Sequence, residues 1–224
     1  MKTRVETLKF KDAYIVPISD LHIGDKSFNA KSRAILSKTI NFVKEHENAR
    51  VVLVGDLLNT ATRCSKTSPF EQDMTLEEQI TAVCEILEPI KDKIIGAVSG
   101  NHERRVEDFA GYDPTLSVLW KLGLKTEDYY FKYTGLIKLR LGSRSRDGKE
   151  SPRTSYVIAF THTTGGGKLI GSKLNRIDQM RRSTVNNADL YIGGHNHSLS
   201  TAQVVESQYN TFSENIEQQT QTLV

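Results

Sequence analysis

Two cysteines, Cys64 and Cys84, are too few for a disulfide framework. Their scarcity fits a reducing cytoplasm. No apolar run approaches the ~20 residues that span a bilayer, so no membrane role is expected. The opening residues, MKTRVETLKFKD, lack the apolar stretch of a secretion signal. An excess of one charge is lacking too. Lys and Arg number 30 against 27 Asp and Glu, a balance that permits an acidic ligand without demanding nucleic acid. No internal repeat and no linker divides the 224 residues, which suit one large α/β domain over 1–224.

What the sequence does have is a rhythm. Five apolar runs rich in β-branched residues recur: AYIVPISD (13–20), ARVVLVGD (49–56), KIIGAVSGN (93–101), SYVIAFTH (155–162) and ADLYIGGHNH (188–197). Each reads as a strand buried on both faces. Between the first two, Leu36, Ile40 and Val43 share one face of a helix spanning roughly 29–47. Between the next two, Thr75 and Glu78 form a capping box. The helix it starts carries Leu76, Ile80, Val83, Cys84 and Leu87 as its apolar stripe, with Pro89 at its end. Cys84 therefore reads as core and Cys64 as a loop thiol. Strands alternating with helices predict a largely parallel sheet. The stretch 129–142 breaks the rhythm and reads as a hairpin, a candidate for a second sheet. Residues 142–153 read as a basic loop, and about 205–224 as a polar tail with one strand, TAQVVES, before its loose end.

Each of the five strands ends in residues able to bind a metal: Asp20 and His22, Asp56, Asn101 and His102, His162, then His195 and His197. Ligands of open α/β sheets bind beyond the carboxyl ends of the strands, so these loops should converge. Five of the six histidines lie there; His46, in a charged helix end, reads as a solvated surface residue. Taken singly the pieces are weak, because an Asp after a strand is usually a turn or cap residue. All five in order are hard to attribute to chance.

The donor chemistry gives the set a purpose. Imidazole with carboxylate suits Mn, Fe, Zn or Ni better than Ca. The ligands outnumber what one tetrahedral ion can use, whereas two ions sharing a carboxylate would use them all. Two divalent ions bring four positive charges. Asp20, Asp56 and a bound hydroxide would remove three, leaving a positive site for an anion such as phosphate. Two metals ~3.5–4 Å apart stabilise both the attacking and the leaving oxygen of an in-line displacement.

The ordered set DLH, GDLLN, GNHE, a lone His and GHNH resembles the calcineurin-like metallophosphoesterases over residues 15–197. The resemblance implies a four-layer β-sandwich of two mixed sheets flanked by helices, with a dinuclear site in which Mn2+ is favoured. It assigns Asp20, His22, Asp56 and His197 to one ion, and Asp56 as bridge, Asn101, His162 and His195 to the other. His195 and His197, two apart on an extended strand, can face the same way. The glycines before them would let the backbone pass close to the ions. His102 takes the place of the family's acid, protonating the leaving oxygen or gripping phosphate.

The sequence departs from one branch of that family. The serine/threonine protein phosphatases carry an Asp, followed by an Arg, where this chain has Asn59, Thr60 and Ala61. Asn59 can orient His102 through its carbonyl oxygen but supports a charged ring less well. Family members also return after GHNH with strands that complete the second sheet. The C-terminus here is short for that, or another subunit of a homo-oligomer fills the gap. Stand-alone chains with Asp-x-His and Gly-His-x-His, phage-encoded ones among them, resemble diesterases or repair-type nucleases of the cell or host cytoplasm. The expected activity is hydrolysis of a phosphodiester by a metal-activated hydroxide, with nucleic acid one candidate substrate. A small-molecule or phosphoprotein monoesterase is the alternative, and a non-catalytic metal-bound scaffold ranks below it. Arg63 and the basic stretch with Lys168, Lys173, Arg176, Arg181 and Arg182 are candidates for contact with substrate.

Overall fold

The computed structural model describes residues 2–63, 65, 72–146, 149–151, 154–165, 169–197, 199–210 and 215–224. A four-stranded sheet holds β2 (Tyr14–Ile18), β3 (Ala49–Val54), β4 (Ile94–Val98) and β5 (Tyr130–Lys132) in that order, every pair parallel. A mixed six-stranded sheet runs β1 (Thr3–Leu8), β6 (Thr134–Leu141), β9 (Thr154–His162), β10 (Leu190–Gly194), β12 (Asn215–Leu223), β11 (Ala202–Asn210). β7 (Arg144–Arg146) and β8 (Lys149–Ser151) pair with each other in the predicted basic loop.

Alternation along β3 explains the layers. Val51 and Leu53 face outward onto α1 (Ala30–Glu45), which offers Leu36, Ile40 and Val43, and onto α2 (Leu76–Leu87), which offers Ile80, Val83 and Leu87. Val52 and Val54 face inward and pack with Phe131, Ile137, Ile158, Phe160 and Ile192 between the sheets. On the far side, α6 (Ile170–Ser183) lays Ile177 and Met180 against Ala159, Tyr191 and Leu223. The order helix, sheet, sheet, helix is the four-layer sandwich. α3 (Asn101–Ala110), α4 (Pro114–Lys121) and α5 (Thr126–Tyr129) fill the connection from β4 to β5.

Both expected helices form where the capping chemistry places them. The Asn29 side chain accepts from Lys31 and Ser32 at the start of α1, and Thr75 and Glu78 close a full capping box on α2. Pro89 falls in a 3-10 turn over Glu88–Lys93 that follows α2 directly. Cys84 is buried, with its Sγ 3.6 Å from the Val118 carbonyl, and Cys64 lies outside the described residues. No helix among the described residues is long and apolar enough to cross a membrane.

Several expectations change. The five core strands lie in two sheets, three in one and two in the other. β2 is an edge strand and only partly buried, which accommodates Pro17. The 129–142 stretch is no hairpin. Lys132 takes a positive φ of 66°, and the chain passes from β5 in one sheet to β6 in the other. His46 is the half-buried C-cap of α1, stacked on Phe42 with ring centroids 4.0 Å apart. β1, an edge strand of alternating polar residues, has too few apolar positions to announce itself.

The polar C-terminus is not a loose tail. β11 and β12 pair antiparallel over nine positions each, and β12 also pairs parallel with β10. The pairing runs on past the strands, with Gly193 N–H to the Val224 carbonyl at 2.8 Å and Val224 N–H to the Tyr191 carbonyl at 2.8 Å. The second sheet is thus completed by this chain. β12 hides its role because only Gln221 and Leu223 on it are buried. Gln221 bonds the Asn186 carbonyl and Arg181. Leu223→Ala should cost ~2–5 kcal/mol, the range for a buried Leu truncation, read as a lower midpoint in urea unfolding. An unchanged midpoint would mean that β12 does not hold the sheet.

Candidate metal centre

The carboxyl ends of β2, β3, β4, β9 and β10 meet at one rim of the sandwich. There the backbone is forced into unusual conformations. Asp20, His22, Asp56, His195 and His197 all have φ between 46° and 81°, a left-handed region that costs L-residues of order 1–3 kcal/mol each and persists only where the surroundings enforce it. Three ties do the enforcing. Asp20 N–H bonds the Gly55 carbonyl at 3.1 Å, His22 N–H the Asp56 carbonyl at 3.1 Å, and Ile23 N–H the Leu57 carbonyl at 3.0 Å. The β2 and β3 loops are thereby laced together beyond the ends of their strands.

Three overlapping groups of donors result: Asp20, His22 and His197; His22, Asp56 and His102; Asp56, His162 and His195. His22 Nε2 lies 3.3 Å from His197 Nε2, and His197 Nε2 lies 3.5 Å from Asp20 Oδ1. Asp56 Oδ2 lies 3.2 Å from His162 Nε2 and 3.9 Å from both His22 Nε2 and His102 Nε2. Asn101 Oδ1 joins the third group at 3.0 Å from His162 Nε2. All seven predicted ligands and His102 therefore come together. His195 and His197 reach different groups, but not by strand alternation: β10 ends at Gly194, and both histidines sit in the turn beyond it. The glycine before them serves packing. A Cβ at Gly194 would strike Ser19 Oγ, the Val54 carbonyl and the His162 ring.

The donor set fits divalent cations. His162 Nδ1 faces the Val54 carbonyl at 2.8 Å and must carry its proton there, since a carbonyl only accepts. Nε2 of the neutral ring is then a lone pair aimed at Asp56 Oδ2 and Asn101 Oδ1, an arrangement that calls for a positive charge among them. Without a metal the ring answers with a proton: burial opposes the charged form, yet the Asp56 carboxylate outweighs it and holds His162 above its ordinary value. Asp56 is held below the carboxylate range; burial works against this, and His162 and His102 overcome it. Burial, with His102 alongside, pushes His22 down to about 4, and burial with His162 alongside lowers His195. Both rings stay neutral, as ligands must. His195 Nδ1 is buried without a hydrogen-bond partner among the described residues, as expected of an atom reserved for an ion.

A sequence profile described as calcineurin-like phosphoesterase matches residues 14–199. The chain belongs to that family. No curated protein matches the sequence. Family membership carries metal-dependent phosphoester hydrolysis with it, and two features of this phosphoesterase's site were not anticipated from its sequence.

The first concerns His102. Its Nδ1 donates to the main-chain carbonyl of Asn59 at 2.7 Å, so the backbone, not the Asn59 side chain, orients the ring. The Asn59 amide nitrogen is instead buried without a partner among the described residues. With Nδ1 committed, Nε2 is the ring atom that faces the site. Burial lowers the pKa of His102.

The second is a pair of buried polar side chains that hold loops. Glu103 accepts from Asp56 N–H and Gly100 N–H with Oε2, and from Leu58 N–H with Oε1, each at 3.0 Å. Burial, then the nearby Asp56 carboxylate, pushes Glu103 up to about 7. Gly100 is a glycine for space, because a Cβ there would collide with Asp56. Gln79 Oε1 accepts from Asn59 and Thr60 N–H at 3.1 Å, and its Nε2 donates to Gln72 and Met74. The only sequence signal was the Glu completing GNHE.

The predicted substrate contacts fare unevenly. Arg63 is exposed after the Asn59 loop, and among the described residues no bond joins it to the site. Lys168 lies outside the described residues. Lys173 Nζ donates to the Asn196 carbonyl at 2.8 Å, which ties α6 to the turn carrying both histidines. Arg181 is buried against Asp178 and Glu206, and Arg182 pairs with Asp178.

Glu103→Ala strands three buried N–H groups, each worth ~1–3 kcal/mol. It should lower the urea midpoint steeply and weaken metal uptake. Glu103→Gln, of equal size, should also destabilise, because one accepting oxygen becomes a donor facing donors. Unfolding of Glu103→Gln indistinguishable from the parent would remove this role.

Proposed function

We propose that the protein is a dinuclear-metal phosphodiesterase. The observation that supports this best is the place of Asp56 Oδ2 between the two sides of the site, 3.9 Å from His22 Nε2 and 3.2 Å from His162 Nε2. On this reading Asp20, His22, Asp56 and His197 hold one divalent ion. Asp56, Asn101, His162 and His195 hold the other, with Mn2+ the favoured metal. Ions bound there would polarise the phosphoryl oxygens and lower the pKa of water, the chemistry by which two-metal sites promote in-line displacement.

The chain's own groups do the rest. Asp20 is aligned by Ser19 Oγ at 2.5 Å and by His195 N–H at 3.0 Å. His162 is fixed in one tautomer by the Val54 carbonyl. His102 is fixed by the Asn59 carbonyl, so a proton delivered to a leaving oxygen must come from Nε2, and the ring must first be charged. A diesterase fits the departures from the protein phosphatases: no carboxylate backs His102, and no arginine follows Asn59. A diester bears one charge at the reacting phosphate, and its leaving group benefits from a proton.

Hydrolysis of bis(p-nitrophenyl) phosphate should require added divalent metal and exceed that of p-nitrophenyl phosphate. Asp56→Asn should lose both ions; metal analysis still returning two tightly held equivalents would sink the bridging role. His102→Ala should retain metal and lose ~10²–10⁴-fold in rate on esters with poor leaving groups. With burial holding the imidazolium pKa below its ordinary 6.5, the His102-dependent rate should fall as pH rises through a value under 6.5. An equal loss for good and poor leaving groups would make His102 a phosphate-positioning residue instead.

A further inference from the structure

Among the described residues, Arg176 is the one arginine of the basic stretch not paired with a carboxylate. Its guanidinium lies against Gly165, where a Cβ would run into it. Gly165 has φ +85° besides, so the chain there is shaped to seat the arginine. Arg176 lines a cavity of about 270 Å³ together with Arg104, which comes from α3 two residues after His102. His162 lines the same cavity, so the cavity adjoins the donor group of Asp56, His162 and His195. No Asp or Glu is among its described lining residues. Arg104, too, has no carboxylate partner among the described residues. It spends only its Nε, on the Gly100 carbonyl at 3.2 Å. The hydroxyls nearby are largely committed as donors, Thr161 to the Tyr133 carbonyl and Thr163 to the Gly194 carbonyl, each at 2.7 Å. What remains free are two guanidinium forks, a geometry matched to phosphate oxygens. At the rim stands Tyr133, 52% exposed, with the Arg104 guanidinium 5.6 Å and the Lys132 ammonium 5.3 Å from its ring centre.

We propose that this cavity is a second anion subsite that binds a non-reacting phosphate of single-stranded nucleic acid. The inference rests on the phosphodiesterase reading and names its substrate class. Two guanidiniums beside a metal centre already able to hold one phosphate have no use on a small monoester. They are useful on a chain of phosphates. An exposed tyrosine at the mouth would give a base a face to stack on once Arg104 turns from the ring to a phosphate, the other half of single-strand recognition. A duplex would keep its bases stacked on each other, away from that ring.

The test compares a ten-residue oligothymidylate with bis(p-nitrophenyl) phosphate, each with Mn2+, on the full chain and on Arg104→Gln/Arg176→Gln. Charged hydrogen bonds to phosphate are worth enough that the KM for the oligonucleotide should rise roughly tenfold or more. The loss on the chromogenic diester should be several-fold smaller. The log–log salt slope for oligonucleotide binding should shrink by ~0.7 for each phosphate no longer neutralised. Arg176→Lys, which keeps the charge but not the fork, should show a partial loss on the oligonucleotide, and Gly165→Ala, which unseats the guanidinium, should show the same defect. An equal loss on both substrates, or an unmoved oligonucleotide KM in a folded variant, overturns the subsite. If the parent protein hydrolyses p-nitrophenyl phosphate but neither diester, the phosphodiesterase reading itself falls, before any variant is made, and takes the subsite with it.

Discussion

One carboxylate holds the rim of this sandwich together. Glu103 gathers N–H groups from the loop after β3 and from the turn after β4, and between those two points lie Asp56, Asn101 and His102. A buried carboxylate is costly unless its lone pairs are filled, and three main-chain donors fill them. The bond to Asp56 N–H fixes the backbone of the residue shared by two donor groups. His102 N–H then returns to Asp56 Oδ1 at 2.8 Å, so the same few residues set both the position of the carboxylate and the direction of its oxygens. Gly100 has to be a glycine for the loop to come that close.

The site also solves a problem of protonation by using the main chain. Two of its imidazoles give their Nδ1 proton to a carbonyl, His162 to Val54 and His102 to Asn59. A carbonyl fixes the tautomer without adding a charge, whereas a carboxylate in its place would also favour the protonated ring. With every ring neutral, the result is a set of nitrogen lone pairs converging on two carboxylates. Such a set is unfavourable alone and favourable around cations. The low values of His22, His102 and His195 have the same first cause, burial of the ring, which outweighs the pull of the Asp56 carboxylate.

Much of this was legible in the sequence, for reasons that particular residues make plain. The core strands announced themselves because β3 and β4 are buried on both sides and so are apolar throughout. The donors announced themselves because each follows a strand directly, and strand ends are where such folds place ligands. The division of the strands between two sheets was not legible from periodicity, since β3 and β9 look alike wherever they pair; the family resemblance implied two sheets without saying which strand lies in which. β12 was missed because a strand with one face in solvent and one in a thin layer needs few apolar residues, and NIEQQTQTL buries only two. Glu103 and Gln79 were missed because a side chain bonding main-chain N–H groups leaves no spacing pattern. Asn59 was found at the right place for the wrong atom, as its carbonyl belongs to every residue type.

The two halves of the first donor group come from opposite ends of the chain. His22 and His197 face each other across 175 positions, and His195 N–H meets the Asp20 carboxylate across the same span. A loop of that length closes late, and the contacts that reward its closure are the non-local ones that slow folding. An unfolded chain therefore offers metal only local fragments: Asp20 with His22, and His195 with His197. Each fragment can seize an ion for itself, although the folded site groups Asp20 with His22 and parts His195 from His197. The order of events during refolding would consequently bear on the yield. Ions supplied after the sandwich has closed meet a prepared centre, whereas ions present from the start compete with the closure that would create it.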